Sequence, residues 1–72
     1  MTEDEMYVSL QLLGFEPSST IARLWLIDPK TNNEVYEDRP NKFNVWSNNS
    51  LIIDNGTIDE VWKWVEKEYE QR

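Results

Sequence analysis

Apolar side chains recur along this chain with the spacing of helices at its two ends and the spacing of strands in its middle. Near the N-terminus, Met6, Leu10 and Leu13 fall at positions i, i+4 and i+7, which places them on one face of a helix. Val8, Leu10 and Leu12 also alternate with polar residues, as a strand would. The periodicity by itself therefore leaves a helix and a strand as alternatives for this segment.

The residues that flank this first segment favour the helix. Thr2 and Glu5 stand three residues apart, as in a capping box, in which each side chain accepts a hydrogen bond from the other residue's backbone N–H. Gly14 can end a helix in a left-handed conformation, with Phe15 folding back on Leu10 in a Schellman motif. We therefore predict a helix between Thr2 and Gly14.

The middle of the chain contains short apolar segments separated by residues that form turns. Ile21–Ile27 is almost continuously apolar, which predicts a strand buried on both faces or nearly so. Residues 28–33 are dense in turn formers, and Glu34–Glu37 then returns as the second strand of a hairpin. Phe43–Trp46 and Leu51–Ile53 predict two further short strands. We therefore expect an antiparallel sheet of three or four strands.

The C-terminal segment carries the clearest helical pattern. Thr57 and Glu60 form a second capping-box pair. The apolar positions that follow share one helical face: Ile58, Val61, Trp62, Val65 and Tyr69. This face can cover one side of the sheet. We therefore predict a single compact domain, residues 1–72, of the α+β class, with an N-terminal helix, a small antiparallel sheet and a C-terminal amphipathic helix packed on the sheet.

The charge of the chain is strongly negative, with 14 acidic residues against 7 basic ones and a formal net charge of −7 at pH 7. A field of this sign repels nucleic acids and anionic membranes and attracts basic protein surfaces. The N-terminus is acidic where a secretory signal would be basic, and no apolar run approaches the roughly 20 residues of a membrane span. We therefore expect a cytoplasmic protein, in the host cytoplasm if it is phage-encoded, that does not contact membranes.

Catalysis is disfavoured by the residue types present. The chain has no His and no Cys, so the commonest general base and the thiol nucleophile are both lacking. Adjacent carboxylates such as Glu37 and Asp38 could serve as acid and base only in a cleft that separates their pKa values. A chain of this length fills little more than one small core. We expect no enzymatic activity, no cofactor and no metal site.

One short run resembles the middle of an EF-hand calcium loop. Residues 54–59, Asp-Asn-Gly-Thr-Ile-Asp, match the central part of that family's loop, including its turn glycine. The resemblance ends there, because Leu51, Ile53 and Trp62 would fall at ligand positions one, three and twelve. A turn followed by a helix cap at Thr57 accounts for the same residues, and we predict that structure.

Basic residues between aromatic ones suggest another alternative, a single-stranded nucleic-acid site on the sheet. Arg23, Lys30, Arg39 and Lys42 would form its cationic patch. Phosphate contacts supply most nucleic-acid affinity, and these few cations belong to a chain of formal charge −7. We therefore predict no direct binding to nucleic acid.

The surplus carboxylates fall into two groups that could form a partner-binding surface. One group surrounds predicted strand ends and turns: Asp28, Glu34, Glu37, Asp38 and Asp54. The other forms a stripe on the C-terminal helix, about 100° from its apolar face: Asp59, Glu66 and Glu70. Trp64 lies at the edge of that face, either as a partly buried rim residue or as an exposed aromatic anchor for a partner. The alternative to a binding surface is a solvated face that keeps the protein soluble.

Carboxylates held at fixed spacings on a rigid surface can imitate the phosphates of DNA. We therefore hypothesise a small acidic inhibitor that occupies the nucleic-acid-binding surface of a basic protein, as a DNA mimic of the kind found among bacteriophage host-takeover proteins. Its partner would be a nucleoid protein, a polymerase subunit, a nuclease or a CRISPR effector, and a homodimer would lengthen its acidic face. The alternative is an adaptor or assembly module that docks through an apolar or edge-strand surface without DNA mimicry.

Overall fold

The computed structural model of the chain describes residues 1–18 and 24–70. Within them it contains two α-helices and five β-strands: α1 (Glu3–Leu12), β1 (Glu16–Pro17), β2 (Trp25–Asp28), β3 (Asn33–Arg39), β4 (Lys42–Ser47), β5 (Ser50–Gly56) and α2 (Ile58–Tyr69). The strands form one antiparallel sheet in the order β1-β2-β3-β4-β5, and both helices pack on the same face of it. The predicted α+β class is confirmed, with one strand more than the upper number predicted.

The first helix forms as its flanking residues predict. The Thr2 hydroxyl accepts a hydrogen bond from the Glu5 N–H at 3.1 Å, and the Glu5 carboxylate accepts one from the Thr2 N–H at 2.7 Å. At the other end, Gly14 has a φ of 108°, and the Phe15 N–H donates to the Leu10 carbonyl at 3.0 Å. The capping box and the Schellman motif are therefore both confirmed, and the alternative of a strand is excluded.

Asparagines in the left-handed conformation keep the connections between the strands short. Asn32 ends the turn between β2 and β3 with a φ of 62°, and Asn41 lies between β3 and β4 with a φ of 63°. Asn48 and Asn49, with φ values of 52° and 71°, are the two-residue turn between β4 and β5. Asparagine adopts this conformation more readily than other residues with a Cβ, and two such residues in succession form the turn that suits a twisted hairpin.

The strand predicted at Ile21–Ile27 is less buried than expected in the part that the structure describes. Residues 21–23 lie outside the described residues, and β2 spans Trp25–Asp28. Leu26 is buried, whereas Trp25 and Ile27 are half-buried on the opposite face. The prediction of burial on both faces is wrong for β2, because both helices cover the same side of the sheet. The unexpected strand, β1, has only two residues, too few to leave an alternation in the sequence.

The core lies between the two helices and one face of the sheet. Its buried apolar side chains are Met6, Leu10, Phe15, Leu24, Leu26, Val35, Phe43, Val45, Val61, Val65 and Tyr69. Full burial of a side chain the size of Leu or Phe stabilises the fold by about 1.5–3 kcal/mol. The predicted apolar face of α2 is confirmed, with Val61, Val65 and Tyr69 buried and with Ile58 and Trp62 half-buried against the core.

A hydrogen-bond network ties the end of α2 to the turn between β2 and β3. The Tyr69 hydroxyl donates to Asp28 Oδ2 at 2.6 Å and accepts from the Asn33 side-chain amide at 3.0 Å. The Thr31 hydroxyl donates to the same Asp28 oxygen at 2.9 Å, and the Ser47 hydroxyl donates to Asn33 at 2.7 Å. Asp28 is only 3% exposed, so it depends on these donors in place of water.

These donors determine the charge state of Asp28. Burial alone would raise the pKa of Asp28, but hydrogen bonds from the Tyr69 hydroxyl, the Lys30 N–H and Thr31 outweigh it and hold the pKa below its ordinary value of 3.8. A carboxyl group whose pKa is lowered by folding stabilises the protein above the unfolded-state pKa. That contribution is lost as the pH falls through the lower, folded-state pKa.

We predict that Tyr69→Phe lowers the free energy of unfolding by about 1–3 kcal/mol at pH 7, because it removes one buried hydrogen bond from Asp28 and one from the side-chain amide of Asn33. The loss should shrink as the pH falls through the lowered folded-state pKa of Asp28, because protonation weakens the bond that Asp28 accepts. Urea unfolding at a series of pH values from 7 into acid measures this. Tyr36→Phe, on the opposite face of the sheet, is the control and should change stability by less than about 0.5 kcal/mol. Equal losses for the two variants would contradict the role of the network.

Candidate functional site

Both helices begin at the same end of the molecule. Met1 lies in one surface groove with Asn41, in the turn between β3 and β4, and with residues 57–59 at the start of α2. The carboxyl group of Glu3, at the start of α1, is hydrogen-bonded to that of Glu37 near the end of β3. The N-termini of α1 and α2 and the turn between β3 and β4 therefore form a single surface.

Half of the 14 carboxylates in the chain gather at this end. They are Glu3, Asp4, Glu5, Glu37, Asp38, Asp59 and Glu60, and we call this group the acidic end. Among residues 1–18 and 24–70, two cationic side chains accompany them, Arg39 and Lys42, which face each other across the turn. The acidic end therefore has a formal excess of five negative charges over these two cations.

The number of strands explains why the helices start together. Each strand of the sheet runs opposite to the one before it. An odd number of strands between α1 and α2 returns the chain to the end at which α1 began, whereas an even number would start α2 at the opposite end. The two-residue strand β1 makes the number odd. It therefore decides which carboxylates become neighbours.

The helix starts tolerate this concentration of negative charge. The unpaired N–H groups in the first turn of a helix carry a partial positive charge that favours nearby carboxylates. Glu5 and Glu60 each accept the N–H of a capping threonine, at 2.7 and 2.8 Å respectively. Hydrogen bonds from the Thr2 backbone and hydroxyl hold the pKa of Glu5 below its usual value of 4.5. These carboxylates are therefore fixed in position by the same bonds that start the helices.

One pair of carboxyl groups at the acidic end is held together against charge repulsion. Glu37 is 9% exposed, faces the helices, and accepts a hydrogen bond from the Leu24 N–H at 3.3 Å. Burial raises the pKa of Glu3 above 4.5, and the charge and hydrogen bond of Glu37 and the charge of Asp4 raise it further. A hydrogen bond between two carboxyl groups requires a proton on one of them, and the raised pKa means that Glu3 binds a proton more readily in the folded state.

The structure brings some of the predicted site residues together and separates others. Glu37, Asp38 and Asp59 belong to the acidic end, although Glu37 lies beneath its surface. Asp38 lies 3.7 Å from Arg39 in an ion pair with exposed side chains, an arrangement that contributes little stability. Asp54 is exposed in β5, two residues before the end of that strand, and so lies close to the acidic end.

The remaining predicted site residues lie elsewhere. Glu66 and Glu70 follow Glu60 by six and ten residues on α2, which places them about 9 and 15 Å further along the helix. Glu34 lies on the sheet face opposite the helices. Trp64 is half-buried against the core, with its ring edge-to-face with Tyr69 at 6.4 Å. This position corresponds to the alternative of a partly buried rim residue.

The sequence-based prediction of the site did not include Glu3, Asp4, Glu5 and Glu60. The sequence explains Glu5 and Glu60 as members of capping boxes, and that role is confirmed. Their proximity in space depends on the strand number. No pattern within one helix could have revealed it.

Comparison with protein-family models, with curated proteins and with solved structures finds no match for this chain. Within residues 1–18 and 24–70, no group of three or more carboxylates converges as a metal-ion site. No helix in the same residues is long and apolar enough to cross a membrane.

We predict that Glu3→Gln stabilises the protein at neutral pH by about 0.5–1 kcal/mol, because it removes a like charge beside Glu37 and retains a hydrogen-bond donor. A carboxyl group whose pKa is raised by folding gives stability that is lost as the pH rises through the folded-state pKa. The gain should therefore appear as the pH rises above about 4.5 and be absent in stronger acid.

Asp4→Asn is the matched control, since it removes a charge from the same helical turn and leaves the hydrogen bond between Glu3 and Glu37 in place; the Asp4 charge is the smallest of the influences that raise the pKa of Glu3. It should lower stability by about 0.3–1 kcal/mol, through loss of the interaction with the helix dipole. Chemical unfolding between pH 4 and pH 7.5 measures both variants. A loss of stability in Glu3→Gln equal to that in Asp4→Asn would contradict the account of the pair.

Proposed function

We propose that this chain is a binding protein that inhibits a basic nucleic-acid-binding protein by occupying its nucleic-acid surface, with the acidic end as the mimic of DNA. The observation that carries the proposal is the gathering of seven of the chain's 14 carboxylates at one end, where two cationic side chains from the described part of the chain accompany them. Carboxylates spread evenly over the molecule would not present a directional field. A concentrated group raises the local potential that a basic surface meets.

The carboxylates of the acidic end are held in place by backbone elements, as a mimic requires. Glu5 and Glu60 are fixed by capping bonds, and Asp38 projects from a strand. Duplex DNA presents one negative charge per about 1.7 Å of its axis, so a small mimic must hold its charges close together. Preorganised charges do not have to be ordered at the moment of binding, which reduces the entropic cost of association.

The partner that fits this chemistry is a protein with a cationic groove for duplex nucleic acid. Nucleoid proteins, polymerase subunits, nucleases and CRISPR effectors all have such grooves, and a bacteriophage protein that disables one of them in the host cytoplasm is the biological setting we propose. The protein acts by binding and performs no catalysis in this proposal. Electrostatic attraction accelerates the encounter, and contacts at the edge of the acidic end determine how long the complex lasts.

A second candidate function is an adaptor that docks through apolar surface. Val8 and Leu12, one turn apart on the outer side of α1, are 55% and 83% exposed, and Leu51 and Ile52 of the edge strand β5 are 42% and 44% exposed. Apolar side chains as exposed as Leu12 are common singly on protein surfaces. The four together nevertheless favour this function as the alternative to DNA mimicry.

The proposal predicts that charge matters at one end of the molecule and not at the other. A triple variant, Asp4→Asn, Asp38→Asn and Asp59→Asn, removes three charges from the acidic end and leaves both capping glutamates intact. It should weaken binding to a partner captured from a bacterial lysate at low salt by at least about tenfold, or 1.4 kcal/mol. The captured protein should also be released by duplex DNA.

The matched control is Glu66→Gln, Glu68→Gln and Glu70→Gln, which removes the same charge from the far end of α2. This control should bind the partner with affinity close to that of the parent chain. Thermal unfolding of each variant verifies that it is folded. Equal affinity of the two triple variants, or a captured protein that duplex DNA does not displace, would overturn the proposal.

The salt dependence of the binding affinity distinguishes the two candidate functions. Exposed charges are screened within about 10 Å at 0.1 M ionic strength, so binding through the acidic end should weaken steeply between 0.05 and 0.5 M salt. Docking through Val8, Leu12, Leu51 or Ile52 should change little over the same range. Isothermal titration calorimetry with the purified partner measures the slope, and a flat salt dependence would favour the adaptor.

A further inference from the structure

The sheet face opposite the helices carries aromatic side chains around the carboxylate of Glu34. Antiparallel register places these side chains on this face, which we call the open face: Glu16, Trp25, Ile27, Glu34, Tyr36, Asn44, Trp46 and Leu51. None of them belongs to the core or to the half-buried apolar side chains that pack against it. Within residues 1–18 and 24–70, no helix lies over this face.

Glu34 lies among three aromatic side chains of the open face. Ile27 and Trp46 are its direct cross-strand neighbours on either side, at the distance where side chains on one face touch. The Trp25 indole N–H donates a hydrogen bond to the Glu34 carboxylate. Tyr36 packs edge-to-face on Trp25, with ring centroids 5.5 Å apart and planes at 78°. The carboxylate and the rings are all half-buried.

This arrangement is suited to a cation. The face of an aromatic ring is electronegative, and here the rings adjoin a carboxylate whose access to water is reduced. A cation placed between the rings would interact favourably with both the carboxylate and the ring faces. A phosphate would be repelled by Glu34, which argues against the stacking of nucleic-acid bases on this face. The chain's formal charge of −7 likewise favours a cationic ligand.

Among the cations that proteins present, the guanidinium group of arginine fits best. It is planar, stacks on aromatic faces, and pairs with a carboxylate through two parallel hydrogen bonds. One oxygen of Glu34 already accepts from Trp25, and each carboxylate oxygen has a further lone pair to offer. The rings belong to three adjacent strands, β2, β3 and β4, so the site is rigid before a ligand arrives.

We infer that the open face is a docking surface for a protein partner, whose anchor is an arginine side chain paired with Glu34 and stacked against Trp25 and Trp46. The inference depends on charge complementarity between Glu34 and a cationic partner, and Glu34 does not belong to the acidic end. It therefore does not rest on the proposed function, and either could fail without the other.

The four tryptophans provide an internal control for the test. Each indole N–H gives its own signal in a proton–nitrogen correlation spectrum of the ¹⁵N-labelled full chain. Trp25 and Trp46 lie on the open face, whereas Trp62 and Trp64 lie against the core on the helix side. We propose a titration with the peptide acetyl-Gly-Arg-Gly-Arg-Gly-amide, with the same peptide carrying neutral citrulline in place of arginine as the matched ligand control.

The arginine peptide should shift the Trp25 and Trp46 signals saturably, leave those of Trp62 and Trp64 in place, and bind at least threefold more tightly than the citrulline peptide. Glu34→Gln keeps the size of the side chain and an acceptor for the Trp25 indole N–H. It should lower the affinity for the arginine peptide at least threefold. The triple variant of the acidic end should retain the Trp25 and Trp46 shifts, which separates this site from non-specific attraction to the acidic end.

Three results would overturn the inference. The first is movement of all four indole signals together, or of none. The second is equal binding of the arginine and citrulline peptides, or unchanged binding to folded Glu34→Gln. The third is a single-stranded oligothymidine that shifts Trp25 and Trp46 more strongly than the arginine peptide does, which would assign the open face to nucleic acid.

Discussion

The rest of the structure depends on one constraint, which is that both helices of the described residues pack on the same face of the sheet. A short chain buries a smaller fraction of its surface than a long one, and here both helices pack on the same side of the strands. The layer between them holds the fully buried side chains, among them Phe43, Leu26 and Met6. The polar bonds of Tyr69 to Asp28 and Asn33 lock the end of α2 onto this layer.

Because the helices cover only one face of the sheet, the molecule has two distinct surfaces, the acidic end and the open face. The helices, lying side by side and starting at the same end, place their capping carboxylates together with those at the end of β3, which produces the acidic end. The uncovered face keeps Trp25, Tyr36 and Trp46 half-buried around Glu34. The acidic end and the open face thus share no residue. This separation is why we assign them to two different contacts with protein partners.

Sequence reasoning predicted what local chemistry determines. The caps at Thr2 and Thr57, the glycine stop and the apolar face of α2 depend on neighbours within a few residues, and all are confirmed. It missed β1, because two residues leave no alternation, and with it the strand number that brings the helix starts together. The prediction that β2 is buried on both faces was wrong for a similar reason. The face of the sheet that a helix covers depends on tertiary packing and not on the sequence of the strand itself.

The central claim is that the negative charge of this protein is concentrated where its helices begin. Nuclear magnetic relaxation of backbone protons by cationic and anionic nitroxide probes reports the electrostatic potential near each residue. The account predicts that the ratio of cationic to anionic enhancement is highest in the first turns of α1 and α2, and clearly lower around Glu66 and Glu70. A ratio that is uniform along α2, or highest at its C-terminal end, would contradict it.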